Sequence, residues 1–420
     1  MVQQNCSAQL LTLHQMITMS DSREGTYDSN ISRTNLVVQG FSRLIRKSSS
    51  LGDVHVRAIE AFSAHSVYSK EDLLNQLHSH HLPLLSNQLK TLSLSPIPSG
   101  LWKESNEDLE LILQTQSDLE HTLDQIKFTI ASVCTSPHSQ SKDQHLKALK
   151  WFRITHLQQR VHDEVLPVMR LIFRHAENLF RQIELAPEDL KRQSNRCHYK
   201  KRLSNEVYRA SKLIELVTIE STQWSDLDLA QEDWESELDK IEQMIRHNIT
   251  MITPPPNFRQ EYEASVRRLT HVPVIRLARL SIPIIKLSKL FFMKISKRGM
   301  NQRRLSPYTE MSSNEIDIFS QSVAGVAYHV QILIQLFYHN DMAYSDAASH
   351  EFTAVTNQIK NELESALLFI LLHFLPLVPD TQGFPAQKYY KTWFVTWKIQ
   401  FNFSIDNFQQ ALKEFQNTPF

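Results

Sequence analysis

The chain has 420 residues, of which 41% are hydrophobic and 21% charged, and its 45 Lys and Arg residues balance its 45 Asp and Glu residues. This composition is typical of a folded globular protein, and the length predicts roughly two to three domains. Because the charges balance, nothing global indicates a nucleic-acid-binding protein, so any electrostatic function depends on local segregation of charge.

Glycine is the informative residue type, with 7 of 420 residues against an average of about 7%. Glycine supplies the positive-φ positions of tight hairpins, phosphate-binding loops and nucleophile elbows. Its scarcity therefore disfavours sandwiches, barrels and doubly wound nucleotide-binding folds. The sequence predicts an all-α protein, with long antiparallel helices in one elongated bundle or two adjoining bundles.

The cysteines and apolar runs favour a cytoplasmic location. Cys6, Cys134 and Cys197 are odd in number and far apart, which fits a reducing compartment better than a disulfide framework. The N-terminal residues lack a basic start and a long apolar run, so we expect no signal peptide. The longest apolar run, Ala366–Val378, is too short to cross a bilayer, which takes about twenty residues.

In the first half of the chain, stretches of helical periodicity alternate with polar loops. Residues 1–31 are predicted to be a polar, partly disordered segment. Residues 32–134 are predicted to form an N-terminal bundle and residues 142–252 a set of central long helices. Pro83 and Pro167 lie inside periodic apolar stretches, so each predicts a kink or a break in its helix.

In the second half, the prolines at 254–256 form the firmest break, because successive prolines cannot continue a helix. Residues 257–416 are predicted to form a C-terminal helical region that packs on the rest. Ser312 and Glu315 have the spacing of a capping box and predict the start of a long helix. Aromatic residues recur at helical spacing over residues 386–415, which favours core packing over base stacking.

The sequence contains no familiar catalytic motif: no phosphate loop, dinucleotide fingerprint, zinc-protease helix, nucleophile elbow or paired Cys-x-x-Cys. We therefore expect no enzymatic activity, no cofactor and no small-molecule substrate. A helical enzyme with a site built between helices from distant side chains is the alternative. His78 and His81 share a helical face, but a zinc site needs three or four ligands, so a solvated polar face is the better interpretation.

The strongest local signal is the stretch Val274–Arg298, where apolar residues recur at helical spacing and every charged residue is basic. No Asp or Glu occurs between Glu263 and Glu310, whereas eleven Lys or Arg residues occur from Arg267 to Arg304. The candidate contact surface consists of these basic residues: Arg276, Arg279, Lys286, Lys289, Lys294, Lys297, Arg298, Arg303 and Arg304.

Three kinds of partner fit a basic amphipathic helix. It could bind an acidic helix or groove of a protein. It could lie on an anionic membrane, where each basic residue adds about 1 kcal/mol near the surface. It could contact nucleic-acid phosphates, which the balanced overall charge makes the least favoured of the three.

A purely structural interpretation competes with these functional ones. An apolar face this broad is expected to lie in the core, and Pro283 would suit the start of a new helix after Ser281. The acidic stretch 227–249 could face the basic helix, with exposed ion pairs worth about 0–1 kcal/mol each. We therefore interpret the helix first as a core element, with a basic rim left open for binding.

Three segments resemble an expanded family of uncharacterised helical proteins from rust fungi: IPIIKLSKLFFMKISKRGMNQRR, LSPYTEMSS and LLFILLHFLPLVPDTQGFPAQKYYKTWFVTWKIQFNFSIDNF. The resemblance covers roughly residues 270–415 well and the N-terminal half loosely. It implies a predominantly helical protein and brings no activity, cofactor or site residue with it. In architecture alone, the chain is similar to vinculin-like and cyclin-D-binding helical bundles.

Together these features predict a non-enzymatic interaction or scaffold protein that binds a protein partner through the basic surface. Peripheral association with an anionic membrane through the same helix is the alternative.

Overall fold

The computed structural model describes ten stretches of the chain: residues 33–49, 69–94, 106–134, 140–184, 190–253, 268–297, 299–302, 305–342, 348–380 and 383–416. These stretches contain helices and no strand, which confirms the predicted all-α fold. None of the helices in these stretches is long and apolar enough to cross a membrane.

The α-helices of the described stretches are, in chain order, α1 (33–47), α2 (Lys70–Gln76), α3 (Leu82–Leu94), α4 (Asn106–Cys134), α5 (Trp151–Arg160), α6 (Leu166–Glu184), α7 (Leu190–Gln223), α8 (Asp226–Ala230), α9 (Trp234–Ile252), α10 (Val272–Ile295), α11 (Ser313–Met342), α12 (Ala348–Phe369) and α13 (Ala386–Gln416). Single π-helical turns lie at Leu77–His81, Val161–Val165 and Ile370–Phe374, and 3₁₀ turns at Gln144–Leu149, Met300–Gln302 and Leu375–Leu377.

Each of these three π-helical turns ends two residues before a proline: Pro83, Pro167 and Pro376. Proline has no N–H group to donate, and its ring crowds the carbonyl four residues earlier. A wider turn accommodates that missing hydrogen bond while the helix axis continues. The kink or break predicted at Pro83 and Pro167 therefore takes the form of a wider turn.

The chain forms two compact units. The first comprises residues 1–137 and 154–222, and the second comprises residues 138–153 and 223–420. In the first unit, α2 and α3 pack on α4 through buried leucines such as Leu85, Leu89 and Leu119. The finer division predicted at 32–134, 142–252 and 257–416 stays a prediction.

The second unit is built on a ring of five helices, in which α9 packs on α10, α10 on α13, α13 on α12, α12 on α11, and α11 on α9. Neighbouring helices of the ring are antiparallel, except at the contact between α11 and α9. There the Trp234 indole donates to the Ser320 carbonyl at 3.0 Å, and His247 contacts the Tyr338 hydroxyl at 2.8 Å, so α9 and α11 run parallel. A ring with an odd number of helices cannot close without one such pair.

The core of this ring is rich in phenylalanine. Its fully buried rings come from five elements: Phe291, Phe292, Phe319, Phe337, Phe352, Phe374, Phe394, Phe401 and Phe408. Each ring of this size stabilises the fold by roughly 1.5–3 kcal/mol relative to an exposed one. The predicted aromatic stripe of α13 supplies three of these rings, so its interpretation as core packing is confirmed.

Two devices fix the start of α11. The Ser312 backbone N–H donates to the Glu315 carboxylate at 2.8 Å and the Glu315 N–H donates to the Ser312 hydroxyl at 3.4 Å, which confirms the predicted capping box. The buried Asp143 carboxylate also accepts from the Ser313 and Trp151 backbone N–H groups, both at 2.8 Å. One carboxylate thus lies at the N-termini of α11 and α5, where helix dipoles favour negative charge.

Candidate interaction surface

Helix α10 is a core element of the second unit. One face packs inside the helical ring, and its ten buried residues include Phe291 and Phe292, both fully buried. Trp234 of α9 meets Phe292 edge-on at 5.2 Å, and Trp397 of α13 lies 4.6 Å from Phe291. The structure confirms the interpretation of α10 as a core helix and leaves only its rim accessible.

The expected start of a new helix at Pro283 is wrong, because α10 runs without interruption through this residue. The proline ring removes the donor for the carbonyl of Arg279, four residues earlier. Pro283 and Arg279 both lie on the solvent side of α10, so water can reach that carbonyl. On the core side, Asn248 donates to the Ser281 hydroxyl at 2.9 Å and links α10 to α9.

Two basic residues on the flanks of α10 form ion pairs with neighbouring helices. Arg276 pairs with Glu414 of α13 at 2.5 Å, and both side chains are about half exposed. Lys289 pairs with Glu242 of the acidic helix α9 at 2.7 Å, and its side chain is 21% exposed. Hydrogen bonds from Lys289 and Arg246 lower the pKa of Glu242. These two residues therefore serve contacts within the unit.

Two further basic residues lie on aromatic rings. The Lys294 ammonium donates to the Tyr389 hydroxyl at 2.8 Å and lies 4.6–5.5 Å from the centroids of Tyr389, Tyr390 and Trp393. The Lys297 ammonium lies 4.5 Å from the Trp224 ring centroid. Such cation–π contacts contribute about 0.5–1 kcal/mol at exposed sites, so both lysines help to hold the unit together.

The part of α10 that takes no part in these contacts is its outer face, which consists of Val272, Arg279, Pro283, Lys286 and Leu290. Arg279 and Lys286 are exposed, and neither has an ion-pair or hydrogen-bond partner among the residues that the structure describes. Val272 is 76% exposed and Leu290 is 47% exposed. The other predicted contact residues, Arg298, Arg303 and Arg304, lie outside the described residues.

A groove of about 730 Å³ lies between the parallel helices α9 and α11. Its lining mixes polar and apolar residues: Glu237, Lys240, Gln243, Met244, His247, Ala324, Ala327, Tyr328, Gln331, Ile334, Gln335 and Tyr338. Burial lowers the pKa of His247 and raises that of Tyr338, so both are neutral near pH 7. Glu237 is the acid among these lining residues, and it precedes His247 by ten residues, a rise of about 15 Å along the axis of α9. Its position on the helix is therefore remote from the His247–Tyr338 pair.

The histidine cluster lies in the first unit, on the π-helical turn Leu77–His81. His78 contacts the Ser221 hydroxyl at 2.8 Å, and the rings of His80 and His81 meet edge-on at 5.3 Å. Burial, followed by the neighbouring His80 and His121, lowers the pKa of His81. Among the described residues these histidines belong to no group of three metal-binding side chains.

A buried charged cluster in the second unit was not predicted. The fully buried Asp226 carboxylate accepts from the Lys150 ammonium at 2.8 Å, the Arg153 guanidinium at 2.9 Å and the Thr309 backbone N–H at 2.8 Å. Lys150, itself fully buried, also donates to the Thr309 carbonyl at 2.6 Å. The cluster is buried inside the unit, and it joins residues 138–153 to α8 and to the loop before α11. Its members are too distant in sequence to be recognised together.

The comparisons with known proteins divide the chain close to where the structure does. A family model described as Domain of unknown function (DUF8723) matches residues 70–223, and another described as Domain of unknown function (DUF8721) matches residues 225–410. No curated protein and no solved structure matches the chain. The border between the matched regions lies where the second unit resumes, at Gln223, whereas residues 138–153 fall in the first region and belong to the second unit.

Proposed function

We propose that this protein is a non-enzymatic interaction protein, whose second unit binds an acidic amphipathic helix of a partner protein on the outer face of α10. The observation that carries the proposal is a row of three exposed residues, Val272, Arg279 and Lys286, spaced seven residues apart. A seven-residue spacing keeps side chains nearly in line along a helix, as in a coiled-coil seam. Carboxylates on a partner helix packed along this row would form ion pairs with Arg279 and Lys286.

The same observations favour a protein partner over a membrane surface. A helix that lies in a membrane buries its large apolar face among the lipids. The large apolar residues of α10, including Phe291 and Phe292, are already buried in the core. Its outer face mixes single apolar and basic residues, a pattern that suits side-chain pairing between helices.

The test is a comparison of proteins captured by the full chain in its source cells, with cross-linking to locate the contact. Arg279→Glu together with Lys286→Glu should abolish capture of a partner that cross-links to α10, because like charges replace complementary ones. The matched control is Arg209→Glu with Lys212→Glu on α7, where both side chains are more than 60% exposed. If the α10 variant stays folded and keeps every partner, the surface is wrongly assigned.

The membrane alternative is tested with the same two variants. Flotation with vesicles of neutral lipid, and with vesicles that also contain anionic lipid, measures direct binding. Binding that requires anionic lipid and disappears in the α10 variant would favour a membrane role over the protein partner. A cytoplasmic location and the kinship with rust-fungal proteins are parts of this proposal that rest on the sequence alone.

A further inference from the structure

We infer that α13 is a self-association surface, on which a second copy of this chain pairs its own α13 in the antiparallel direction. The inference rests on an apolar stripe that lies on the solvent side of α13, opposite the buried Trp397 and Phe401. Val395, Ile399 and Phe403 form this stripe and are 60%, 61% and 61% exposed. Their spacing of four residues aligns them along one face of the helix over two turns.

The stripe is symmetric about Ile399, since Val395 precedes it and Phe403 follows it by the same four residues. A two-fold interface is self-complementary, so residue i of one copy meets residue j of the other, and j meets i. Antiparallel pairing about Ile399 would set Val395 of each copy against Phe403 of the second copy. Ile399 would then meet its own equivalent at the axis.

The charged residues at the two ends of the stripe are placed to pair with each other about the same two-fold axis at Ile399. Lys391 lies eight residues before Ile399 and Asp406 lies seven residues after it, and both side chains are exposed. Neither has an ion-pair partner among the residues that the structure describes. Antiparallel pairing brings Lys391 of one copy next to Asp406 of the other, twice in each dimer, whereas parallel pairing sets like charges together.

Helix α12 extends the apolar area beside α13. Glu364 of α12 lies 3.5 Å from Lys398 of α13, and these helices are antiparallel. Leu368 follows Glu364 by one turn, and Val395 precedes Lys398 by about one turn. Because the two helices are antiparallel, Leu368 and Val395 lie on the same side of this ion pair. Leu368 is 55% exposed, and Leu372, one turn further on, is 58% exposed.

An interface based on one helix pair lies at the small end of specific interfaces, so we expect weak, concentration-dependent dimers. This inference does not depend on the proposed partner helix, which uses the outer face of α10. Loss of one binding activity through the variants described here should leave the other unchanged.

Sedimentation velocity of the full chain over a wide concentration range tests the pairing. The native protein should shift towards a dimer as its concentration rises. Ile399→Glu should weaken association about a hundredfold or more, because two carboxylates would meet at the axis. Ile318→Glu on α11, where the native side chain is 44% exposed, is the matched control and should leave association unchanged. A native chain that stays monomeric, or equal effects of both substitutions, would overturn the inference.

Charge exchange tests the direction of the pairing. Lys391→Asp and Asp406→Lys should each weaken association about tenfold, and the double variant should restore it, because the exchanged pair is again complementary. Cysteine pairing tests the register in a chain that carries Cys6→Ser and Cys197→Ser. A mixture of Val395→Cys and Phe403→Cys chains should form a disulfide between unlike copies. Disulfides between two Val395→Cys copies would contradict the antiparallel arrangement.

Discussion

Asp226 is the fully buried acid at the centre of the charged cluster in the second unit. Its carboxylate forms ion pairs with Lys150 and Arg153, and the two basic side chains are 0% and 3% exposed. Burying a charge without a partner is costly, because desolvation is no longer offset by attraction. Removing the Asp226 carboxylate is therefore the most direct way to measure how much the cluster stabilises the protein.

We predict that Asp226→Ala lowers the free energy of unfolding by about 3–5 kcal/mol, because it removes a fully buried carboxylate that pairs with two buried cations. Urea denaturation, monitored by circular dichroism, measures the change. Asp163→Ala is the control, since that side chain is 67% exposed. A loss for Asp226→Ala no larger than that of the control would show that the buried charges are compensated elsewhere.

Three histidines give the protein a predicted pH dependence. Burial is the largest cause that lowers the pKa of His81, His175 and His247 below the ordinary value of 6.5. The unfolded chain therefore binds protons at a higher pH than the folded chain does. Their contribution to stability is complete above pH 6.5 and falls as the pH decreases towards the folded pKa values.

The expected result is a free energy of unfolding that decreases as the pH falls below about 6.5. His247→Gln should make this decrease shallower, because one of the three shifted groups no longer titrates. Equilibrium denaturation at a series of pH values measures both slopes. An unchanged slope in the variant would mean that His247 titrates alike in the folded and unfolded chains.

Among the helices, α10 combines the most demanding roles, because one face fills the core while the other remains open to solvent. Pro283 interrupts its hydrogen bonds on the open side. Proline inside a helix costs about 3 kcal/mol relative to alanine, although proline also restricts the unfolded chain. The native sequence therefore retains a destabilising residue in the middle of the proposed contact face.

We predict that Pro283→Ala stabilises the protein by about 1–2 kcal/mol, because it restores an N–H donor to the Arg279 carbonyl. The melting temperature reports the change. Pro273→Ala in the first turn of the same helix is the control and should have little effect, because the N–H groups there have no helical acceptor. A destabilised Pro283→Ala variant would show that the proline geometry is needed for packing.

At the scale of the helices, much was predictable because the signals are local. Apolar periodicity located α10 and α13, and the spacing of Ser312 and Glu315 located the start of α11. The response to internal prolines was not predictable. Pro83 and Pro167 follow a wider turn, whereas Pro283 lies in a regular helix. Pro83 and Pro283 are both exposed, so the side of the helix that a proline occupies does not by itself decide between the two geometries.

At the scale of the whole molecule, the second unit includes residues 138–153, which lie far from the rest of it in sequence. This segment supplies Lys150 and Arg153 to Asp226, and Asp143 to the start of α11. The region matched by the second family model begins at residue 225 and so lacks all three. That region is consequently shorter than the structural unit.

We predict that a fragment of residues 223–420 unfolds less cooperatively than the full chain, because Asp226 loses both cations and α11 loses a cap. A peptide of residues 138–153, added to the fragment, should restore a cooperative transition. Differential scanning calorimetry of the fragment with and without the peptide is the measurement. A fragment that is fully stable alone would show that the segment is dispensable.

The sequence alone determined the all-α class, the core role of α10 and the capping of α11. Periodicity and cap spacing act over a few residues, and glycine scarcity can be read from the composition. Only the tertiary structure decided which basic residues remain accessible. Lys289 and Lys294 contact residues on α9 and α13, and Lys297 contacts Trp224, all of them far away in sequence. Arg279 and Lys286 face solvent instead. It also decided the buried pairing of Lys150 with Asp226, 76 residues apart, since the packing of distant helices alone brings such charges together.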